Sequence, residues 1–274
     1  MSDIESEITA PSISKKSGAR RREAGLNVLL PAITFIVVLV LWEIAVDVFE
    51  IPIYIMPPPS AFLMRVFEDY ALLADHLSRT AYEVLVGFTL ATIVSIPLGF
   101  IIASSKFLER TLYPIIVFIQ LTPKIAIAPL FIVWFGFGIF PKSLITFLLC
   151  FFPTLVASLT GFKALDERVL YLTRSMGATR WQTFRYVRIP SAMPYIFSGL
   201  KVSIVFASTG AIVGEFVGAN KGLGYLLLRG TSYLDTSLIF AVLVVLAIMG
   251  LVFSYAVQFL ERIAMPWQGK EVRS

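Results

Sequence analysis

Long apolar runs separated by short polar segments make up most of the chain. A membrane-spanning helix needs about 20 consecutive, mostly apolar residues, and six runs of the sequence reach that length. Few residues remain between the runs for a separate soluble domain. The pattern predicts an all-α membrane protein with six transmembrane helices, at residues 28–49, 81–103, 112–137, 143–162, 195–217 and 237–259.

Polar and glycine-rich segments between the apolar runs predict two short helices. A proline cluster follows the first span, and Ser60 stands where it can cap a short helix over residues 61–68. A glycine-rich segment between the fifth and sixth spans precedes a second short helix on the outer face. The connections after the second and third spans are short, so we expect spans two and three, and spans three and four, to form adjacent antiparallel hairpins.

The composition agrees with a membrane protein, since 57% of the residues are hydrophobic, 15% are charged and the mean hydropathy is +0.83. The single cysteine, Cys150, lies inside the fourth run and is predicted to be a small packing residue. The single histidine, His76, lies in a polar connection and has no second ligand nearby in the sequence, which argues against a metal site.

The distribution of Lys and Arg predicts the orientation. A basic tail, residues 1–27, precedes an apolar run that is too long for a signal peptide, which indicates a retained signal anchor. Placing this tail in the cytoplasm puts the basic residues on the cytoplasmic side in a ratio of about three to one. Both termini are then cytoplasmic, as tails 1–27 and 266–274 around a permease domain, 28–265. The same orientation explains the net charge of +5, and no folded basic module remains for binding nucleic acid.

The connection between the fourth and fifth spans, 163–194, is long, basic and helix-forming. Asp166 to Met176 has the composition of a helix, and Gly177 follows as a residue that can adopt positive φ. Thr179 and Gln182 form a T-x-x-Q capping box, which predicts a second helix that ends at Pro190. Trp181 and Phe184 recur on this helix at helical spacing. Physical reasoning leaves two alternatives for them, a cytosolic partner or packing against the membrane domain with the arginines on anionic lipid.

A family resemblance favours the partner. Gly177, nine residues and then Val187-Arg188-Ile189-Pro190 resemble the E-A-A-x-x-x-G-x(9)-I-x-L-P signature of binding-protein-dependent ABC importer permeases. The stretches "MPPPSAF", "TPKIAIAPLFIVWFGFG", "CFFPTLVASLTGFKAL" and "GAIVGEFVGANKGLGYLL" look like the nitrate/sulfonate/taurine branch, which includes permeases for pyrimidine precursors, riboflavin and aromatic carboxylates. The resemblance covers nearly all of residues 28–267. The chain departs from the signature at Tyr171, Leu172 and Thr173 in place of Glu-Ala-Ala, and at Val187 and Ile189.

The resemblance implies the type I ABC importer permease fold in a bacterial inner membrane, and a transport subunit that is not itself an enzyme. The loop would be a coupling helix seated on a separate ATPase. ATP and Mg²⁺ would bind that ATPase. No cofactor is expected on this chain, because its sequence contains no G-x-x-x-x-G-K-[ST] phosphate-binding motif. Expected partners are two ATPase subunits, a second permease copy as a homodimer, an extracytoplasmic solute-binding protein and lipid. The coupling residues would be Arg174, Ser175, Met176, Gly177, Ala178, Thr179, Arg180, Trp181, Phe184 and Pro190.

Charges within the apolar runs are expensive, at about 2.5–3.5 kcal/mol each at the centre of a span. For Glu43, Asp47 and Glu83, near the outer ends of spans, we expect solvation at the membrane interface, and for Lys201 snorkelling toward the cytoplasm. Two further charges, with neighbouring polar groups, are candidates for the translocation path. We expect this path to be lined by Gln120, Thr122 and Lys124, with Glu215 at or near it. The alternative is that Lys124 and Glu215 neutralise each other as a structural pair.

Two other functional classes remain to be compared with an importer permease. An ion-coupled secondary transporter would need paired repeats with midplane carboxylates, and the sequence shows neither. An intramembrane enzyme would need a nucleophile with a base, or several metal ligands, at matching depths. The solute stays open, because Lys124 favours an anion such as a sulfonate or aromatic carboxylate, whereas the third span is closer to pyrimidine or riboflavin permeases.

Overall fold

The computed structural model describes the backbone of residues 14–267, and the side chains of residues 29–267 except that of Glu167. Within residues 14–267 every regular element is helical. The first half contains α1 (Ser14–Val48), α2 (Pro59–Glu68), α3 (Tyr70–Ala103), α4 (Lys106–Leu121), a 3₁₀ turn (Lys124–Ile127) and α5 (Ala128–Phe135). The second half contains α6 (Ile139–Lys163), α7 (Glu167–Ser175), α8 (Arg180–Thr183), a π turn (Phe184–Arg188), α9 (Ile189–Gly218), α10 (Leu223–Tyr233) and α11 (Thr236–Ala264).

Five helices of the described chain are long and apolar enough to cross a membrane, and the number is six if a bent pair of helices counts as one span. The all-α prediction is therefore confirmed, with five or six candidate spans. The predicted third span, 112–137, is wrong as a single helix, because α4 and the segment from Lys124 to Phe135 meet at 79°. Pro123 causes the break, since the residue before a proline avoids the α region, and Thr122 is extended with ψ of 134°.

The chain divides into two compact units, up to Ala61 and from Phe62 onward. In the first unit, the Glu43 carboxylate accepts hydrogen bonds from the Ser60 backbone N–H at 3.0 Å and from its hydroxyl at 2.6 Å. The predicted cap by Ser60 is therefore corrected: Ser60 is already helical, and the carboxylate of Glu43 satisfies the start of α2 from outside. Free backbone donors at a helix start favour such an anionic partner.

The core of the second unit is a tight packing of α3, α6 and α9. A β-carbon built on Gly87 of α3 would lie 2.5 Å from Thr146 Cβ of α6, and one on Gly210 of α9 would lie 2.7 Å from Thr146 Cα. Small residues let membrane helices approach this closely. Further such contacts, Gly99 with Ser158 and Gly214 with Lys142, show that α3 runs parallel to α6 and that α9 runs antiparallel to both.

This arrangement packs α3 more extensively on α6 than on α4, its neighbour along the chain, although α3 also contacts α4 and α5 contacts α6. It also defines the two ends of the bundle. The connection between α6 and α9 lies at one end, hereafter the loop end, whereas the opposite end contains the starts of α3 and α6 and the end of α9. Cys150 is fully buried in this core, as predicted, and its thiol donates to the Ser203 carbonyl at 3.2 Å.

Candidate functional site

The loop end presents a helix, a glycine corner and a second helix. Asp166 caps α7 by accepting the Arg168 N–H at 2.8 Å. Gly177 then adopts φ of +76°, and the N–H of Ala178 reaches back to the Thr173 carbonyl at 3.1 Å. This is the left-handed helix stop that glycine favours, so the predicted corner at Gly177 is confirmed.

The predicted capping box is also present. The Thr179 hydroxyl accepts the Gln182 N–H at 3.2 Å, and the Gln182 side-chain oxygen accepts the Thr179 N–H at 2.8 Å. The expected stop at Pro190 is wrong, because α8 continues through the π turn into α9 as one span from Arg180 to Gly218. The longer Ile189-to-Phe184 bond of the π turn allows Pro190 to enter the first turn of α9, where a missing N–H is tolerated.

The two aromatic residues on this helix have different environments. Trp181 is 64% exposed, whereas Phe184 is half-buried with its ring centroid 4.5 Å from that of Phe100 in α3. Phe184 thus packs on the membrane-spanning helices, and Trp181 remains on the surface. The large apolar and aromatic side chains that are exposed between Glu167 and Arg188 are Val169, Tyr171, Leu172, Met176, Trp181 and Tyr186.

The residues predicted for a translocation path fall into two separate places. Lys124 donates to the Gln120 carbonyl at 2.6 Å and lies 4.8 Å from the centre of the Phe152 ring. Gln120 and Thr122 are exposed beside it at the bend between α4 and α5. Glu215 is fully buried near the end of α9, and its partners come from α3 and α10. Lys124 and Glu215 therefore have different partners.

Glu215 belongs to a cap that three side chains provide for α10. The N–H of Gly224 donates to the Glu215 carboxylate at 2.5 Å, and the N–H of Leu223 donates to the Thr80 hydroxyl at 2.8 Å. Thr80 in turn donates to Glu215 at 2.7 Å. The N–H of Gly222 lies 2.9 Å from His76 Nδ1, which accepts it in the Nε2-protonated tautomer. The start of α10 is thereby fixed to both α3 and α9.

His76 is consequently not in an exposed polar connection, as the sequence suggested. It lies in the second turn of α3 and is 6% exposed. A local sequence pattern could not reveal its partner, since Gly222 lies 146 positions away. The only sequence signal was the glycine-rich segment itself, which indicated an irregular backbone with donors to satisfy.

A buried ion pair lies beside this cap. Lys142 Nζ is 2.8 Å from Glu83 Oε1, and the two residues are 4% and 0% exposed. Arg79 approaches the same carboxylate oxygen with its Nε at 3.7 Å. The expectation that Glu83 is solvated at the interface is therefore wrong, because α3 and α6 enclose it. Lys142 lies in the first turn of α6. Lys201, for which we expected snorkelling, forms an ion pair with Glu261 at 2.5 Å.

Comparisons with known proteins agree with this architecture. Residues 95–268 match the family described as "Binding-protein-dependent transport system inner membrane component". The formylaminopyrimidine transport permease protein ThiX of Halalkalibacterium halodurans is 35% identical over 244 residues, covering 89% of this chain and 97% of ThiX. The riboflavin transport system permease protein RibX of Chloroflexus aurantiacus is 35% identical over 238 residues, covering 86% of this chain and 89% of RibX.

A more distant relative and a solved structure extend the comparison. The putative aliphatic sulfonates transport permease protein SsuC of Bacillus subtilis is 28% identical over 262 residues, covering 94% of this chain and 93% of SsuC. A chain of the MetNI methionine ABC transporter in an inward facing conformation aligns with a TM-score of 0.60 at 21% identity, covering 71% of this chain and 96% of that chain. At that identity the likeness concerns the fold.

Proposed function

The chain belongs to the family of inner membrane components of binding-protein-dependent transport systems, and we propose that its loop end couples transport to ATP hydrolysis on a separate ATPase. The protein is the permease subunit of an ABC importer and a multi-pass membrane protein. The observation that carries the coupling proposal is the continuous helix from Arg180 to Gly218, whose first turn is capped and exposed. The matched family and relatives give no support to an ion-coupled transporter.

The contact surface of this proposal is the loop end itself. Two capped helices meet at the Gly177 corner, so the surface is held rigidly rather than as a flexible loop. Exposed Trp181 and Met176 are side chains of the kind that anchor protein interfaces. The remaining coupling residues are Arg174, Ser175, Ala178, Thr179, Arg180, Phe184 and Pro190; of these, Phe184 connects the contact to α3 through the Phe100 ring.

The transmission follows from the continuity of the helix. A displacement of α8 by the ATPase moves α9 with it, because no loop separates the two. At the far end, Glu215 joins α9 to α3 and α10, so the motion reaches the opposite side of the membrane. ATP can shift the inward- and outward-open populations only if this contact differs between the two states.

The assembly that we propose contains two copies of this chain, two ATPase subunits that bind ATP and Mg²⁺, and an extracytoplasmic solute-binding protein. Residues 14–267 supply at most six spans, and most oligomers of identical chains are symmetric, so we propose that two identical copies enclose the pathway between them. The positive-inside distribution supports placing the loop end and both termini in the cytoplasm of a bacterial inner membrane. Residues 1–13 and 268–274 of the tails lie outside the described residues.

The pathway proposed here runs past the bend between α4 and α5. Gln120 and Thr122 are exposed there, and Lys124 adds a positive charge that is only partly buried. That Glu215 lies at or near the pathway stays a prediction, since this residue is fully buried and lies apart from the bend, near the end of α9. The solute class is a small organic or anionic molecule of the sulfonate, nitrate, aromatic carboxylate, pyrimidine or riboflavin type, since relatives are named for pyrimidine, riboflavin and sulfonate transport.

Site-directed crosslinking tests the coupling contact. The single native cysteine, Cys150, is fully buried, so a maleimide-linked photocrosslinker would react with Trp181→Cys and leave Cys150 unmodified. We expect illuminated membranes to yield a covalent adduct between this chain and a nucleotide-binding subunit, and the adduct yield to change when ATP is added.

Tyr233→Cys is the matched control, because Tyr233 is 78% exposed and lies in α10 at the opposite end of the bundle. This variant should give no adduct with the ATPase. The proposal fails if Trp181→Cys gives none either, or if position 181 reacts with a membrane-impermeant maleimide added outside intact cells.

A further inference from the structure

A cavity of about 410 Å³ opens at the end of the bundle opposite the loop end. Four different elements meet there: the start of α3, the turn between α5 and α6, the first turn of α6 and the segment after α9. Its size lies within the range of roughly 300–1,000 Å³ that is usual for small-molecule sites. The lining residues are Arg79, Phe137, Gly138, Lys142, Gly218, Ala219 and Asn220.

The two bases that line the cavity share one carboxylate oxygen. Lys142 Nζ and the Arg79 Nε lie 2.8 Å and 3.7 Å from Glu83 Oε1. Among the side chains that the structure describes, no other carboxylate lies within 4.0 Å of either base. Glu83 itself does not line the cavity, so the wall that faces the opening is positive.

Arg79 has unused hydrogen-bonding capacity at this wall. Its Nε is buried beside Glu83 and makes no hydrogen bond to any described residue. The donors that can reach a ligand are those at the tip of the guanidinium, on a side chain that is 41% exposed as a whole. A guanidinium carries five N–H donors in a fork that fits two oxygens of one anion. Lys142 is held in place by Glu83, and Asn220 adds an amide at the rim.

We propose that this cavity binds the oxyanion group of a small organic anion, a carboxylate or a sulfonate, with Arg79 as the principal donor. Phe137, which is 80% exposed, provides an apolar wall for the organic part of the ligand. The assignment of this ligand as the transported solute rests on the proposed function. It favours the anionic members of the solute class over neutral ones, and it places a solute contact on α3 and α6, distinct from the bend at Lys124.

Glu215 lies behind the cavity wall, where it is absent from the lining but interacts electrostatically with Lys142. Lys142 is therefore balanced by two carboxylates, Glu83 and Glu215. The charge that is left to face the opening is that of Arg79, whose only close carboxylate among the described side chains is Glu83 at 3.7 Å. An anion that enters would meet Arg79 first, in surroundings of lower dielectric than water, where a charged hydrogen bond is stronger.

Binding of matched probes tests the site without transport. The full-length chain, with the subunits that copurify, is placed in phosphatidylcholine nanodiscs and titrated calorimetrically with benzoate, benzenesulfonate and benzamide. Benzamide has nearly the shape of benzoate but no charge. We expect both anions to bind and benzamide not to bind, and we expect Arg79→Gln to weaken anion binding about tenfold or more, as loss of a charged hydrogen-bond donor does.

Lys221→Gln is the matched control, because Lys221 is a base at the same end that pairs with Asp75 at 3.3 Å and does not line the cavity. It should bind both anions like the wild type, and Arg79→Lys should retain part of the affinity. The proposal is overturned if Arg79→Gln binds benzoate as the wild type does, if benzamide binds equally well, or if neither anion binds.

A lipid phosphate has related chemistry, and a second set of nanodiscs separates the two sources. If phosphatidylglycerol raises the apparent Kd of benzoate in the wild type and in Lys221→Gln but not in Arg79→Gln, lipid competes for the same oxyanion site. If phosphatidylglycerol does not change the apparent Kd of benzoate, the site binds soluble anions and not lipid. If it raises the apparent Kd equally in all three proteins, the cause is the general surface charge of the membrane, and competition by lipid at this site is rejected. Failure of the crosslink at position 181 would leave these binding results unchanged.

Discussion

The buried contact between Glu83 and Lys142 illustrates how single residues decide the stability of this protein. Both side chains are enclosed by α3 and α6, and removing one partner of such a pair leaves an uncompensated charge that costs about 3–5 kcal/mol. We expect Lys142→Met to lower the amount of folded protein and its unfolding temperature sharply, as measured by fluorescence-detected size exclusion after heating.

Two controls belong to this prediction. Lys221→Met removes a similar contact with Asp75 in which both side chains are about 60% exposed, and an exposed pair contributes only about 0–1 kcal/mol. Replacing both buried partners, Glu83→Leu with Lys142→Met, should recover much of the stability. Equal unfolding temperatures for Lys142→Met and Lys221→Met would refute the buried-pair argument.

Gly222 is a second position where a single added carbon atom is expected to lower the stability of the protein. Its φ is +122°, and a β-carbon there would overlap the carboxylate of Glu215. We expect Gly222→Ala to destabilise the protein by more than the roughly 1–3 kcal/mol of strain in a backbone conformation that essentially only glycine adopts, because the cap of α10 must also move. Thermal unfolding of the purified protein measures this effect.

Gly250 in α11 provides the comparison. A β-carbon there would have no atom within 4 Å, and alanine is the better helix former by about 1 kcal/mol. Gly250→Ala should therefore be neutral or stabilising. An unchanged unfolding temperature in Gly222→Ala would show that Glu215 can leave its position without loss, contrary to the structure.

At the scale of elements, the sequence predicts what is local and misses what is not. The apolar runs locate the spans, and the Thr179–Gln182 box and the Gly177 corner are encoded within a few residues, so all of these were predictable. The pairing of Glu83 with Lys142 spans 59 positions and depends on α3 packing parallel to α6. A proline in the sequence does not by itself predict whether a helix breaks. The span bends at Pro123, whereas the helix continues through Pro190, which follows the π turn.

The corner between α7 and α8 gives a prediction about coupling. Gly177→Ala places an alanine at φ of +76°, a strain of roughly 1–2 kcal/mol that relaxes by reorienting α8. An added β-carbon at this position would meet nothing within 4 Å, so the substitution creates no clash. We therefore expect a normal amount of folded protein but reduced solute uptake per ATP hydrolysed, measured in proteoliposomes that contain the complete importer.

Gly136 is the control for strain at positive φ, because its φ is also +76° and its surroundings are equally open but it lies between α5 and α6. Its ψ of −172° is one that essentially only glycine adopts, so Gly136→Ala should lose at least as much stability and still keep the ratio of uptake to hydrolysis. Gly177→Asn should remain coupled, because asparagine tolerates the left-handed conformation. Full coupling in Gly177→Ala would mean that the orientation of α8 is not set at this corner.

For the whole molecule, the decisive feature is that one helix connects its two ends. The span from Arg180 to Gly218 has 39 residues and would be roughly 58 Å long at 1.5 Å per residue. Its first turn is the proposed ATPase contact, and Glu215 near its last turn holds α3 and α10. The two ends therefore cannot move independently unless this helix bends.

A break in the helix should separate ATPase binding from transport. Two glycines inserted between Arg188 and Ile189 disrupt the register after the π turn and add flexible residues, while the capped α8 keeps its own contacts. We expect the crosslink from position 181 to the ATPase to persist and solute uptake in proteoliposomes to be lost. The same insertion between Leu234 and Asp235, in the turn between α10 and α11, should be tolerated, since the left-handed Leu234 already lies outside both helices. If uptake survives the first insertion, motion reaches the opposite end through the Phe184–Phe100 contact with α3 rather than along α9.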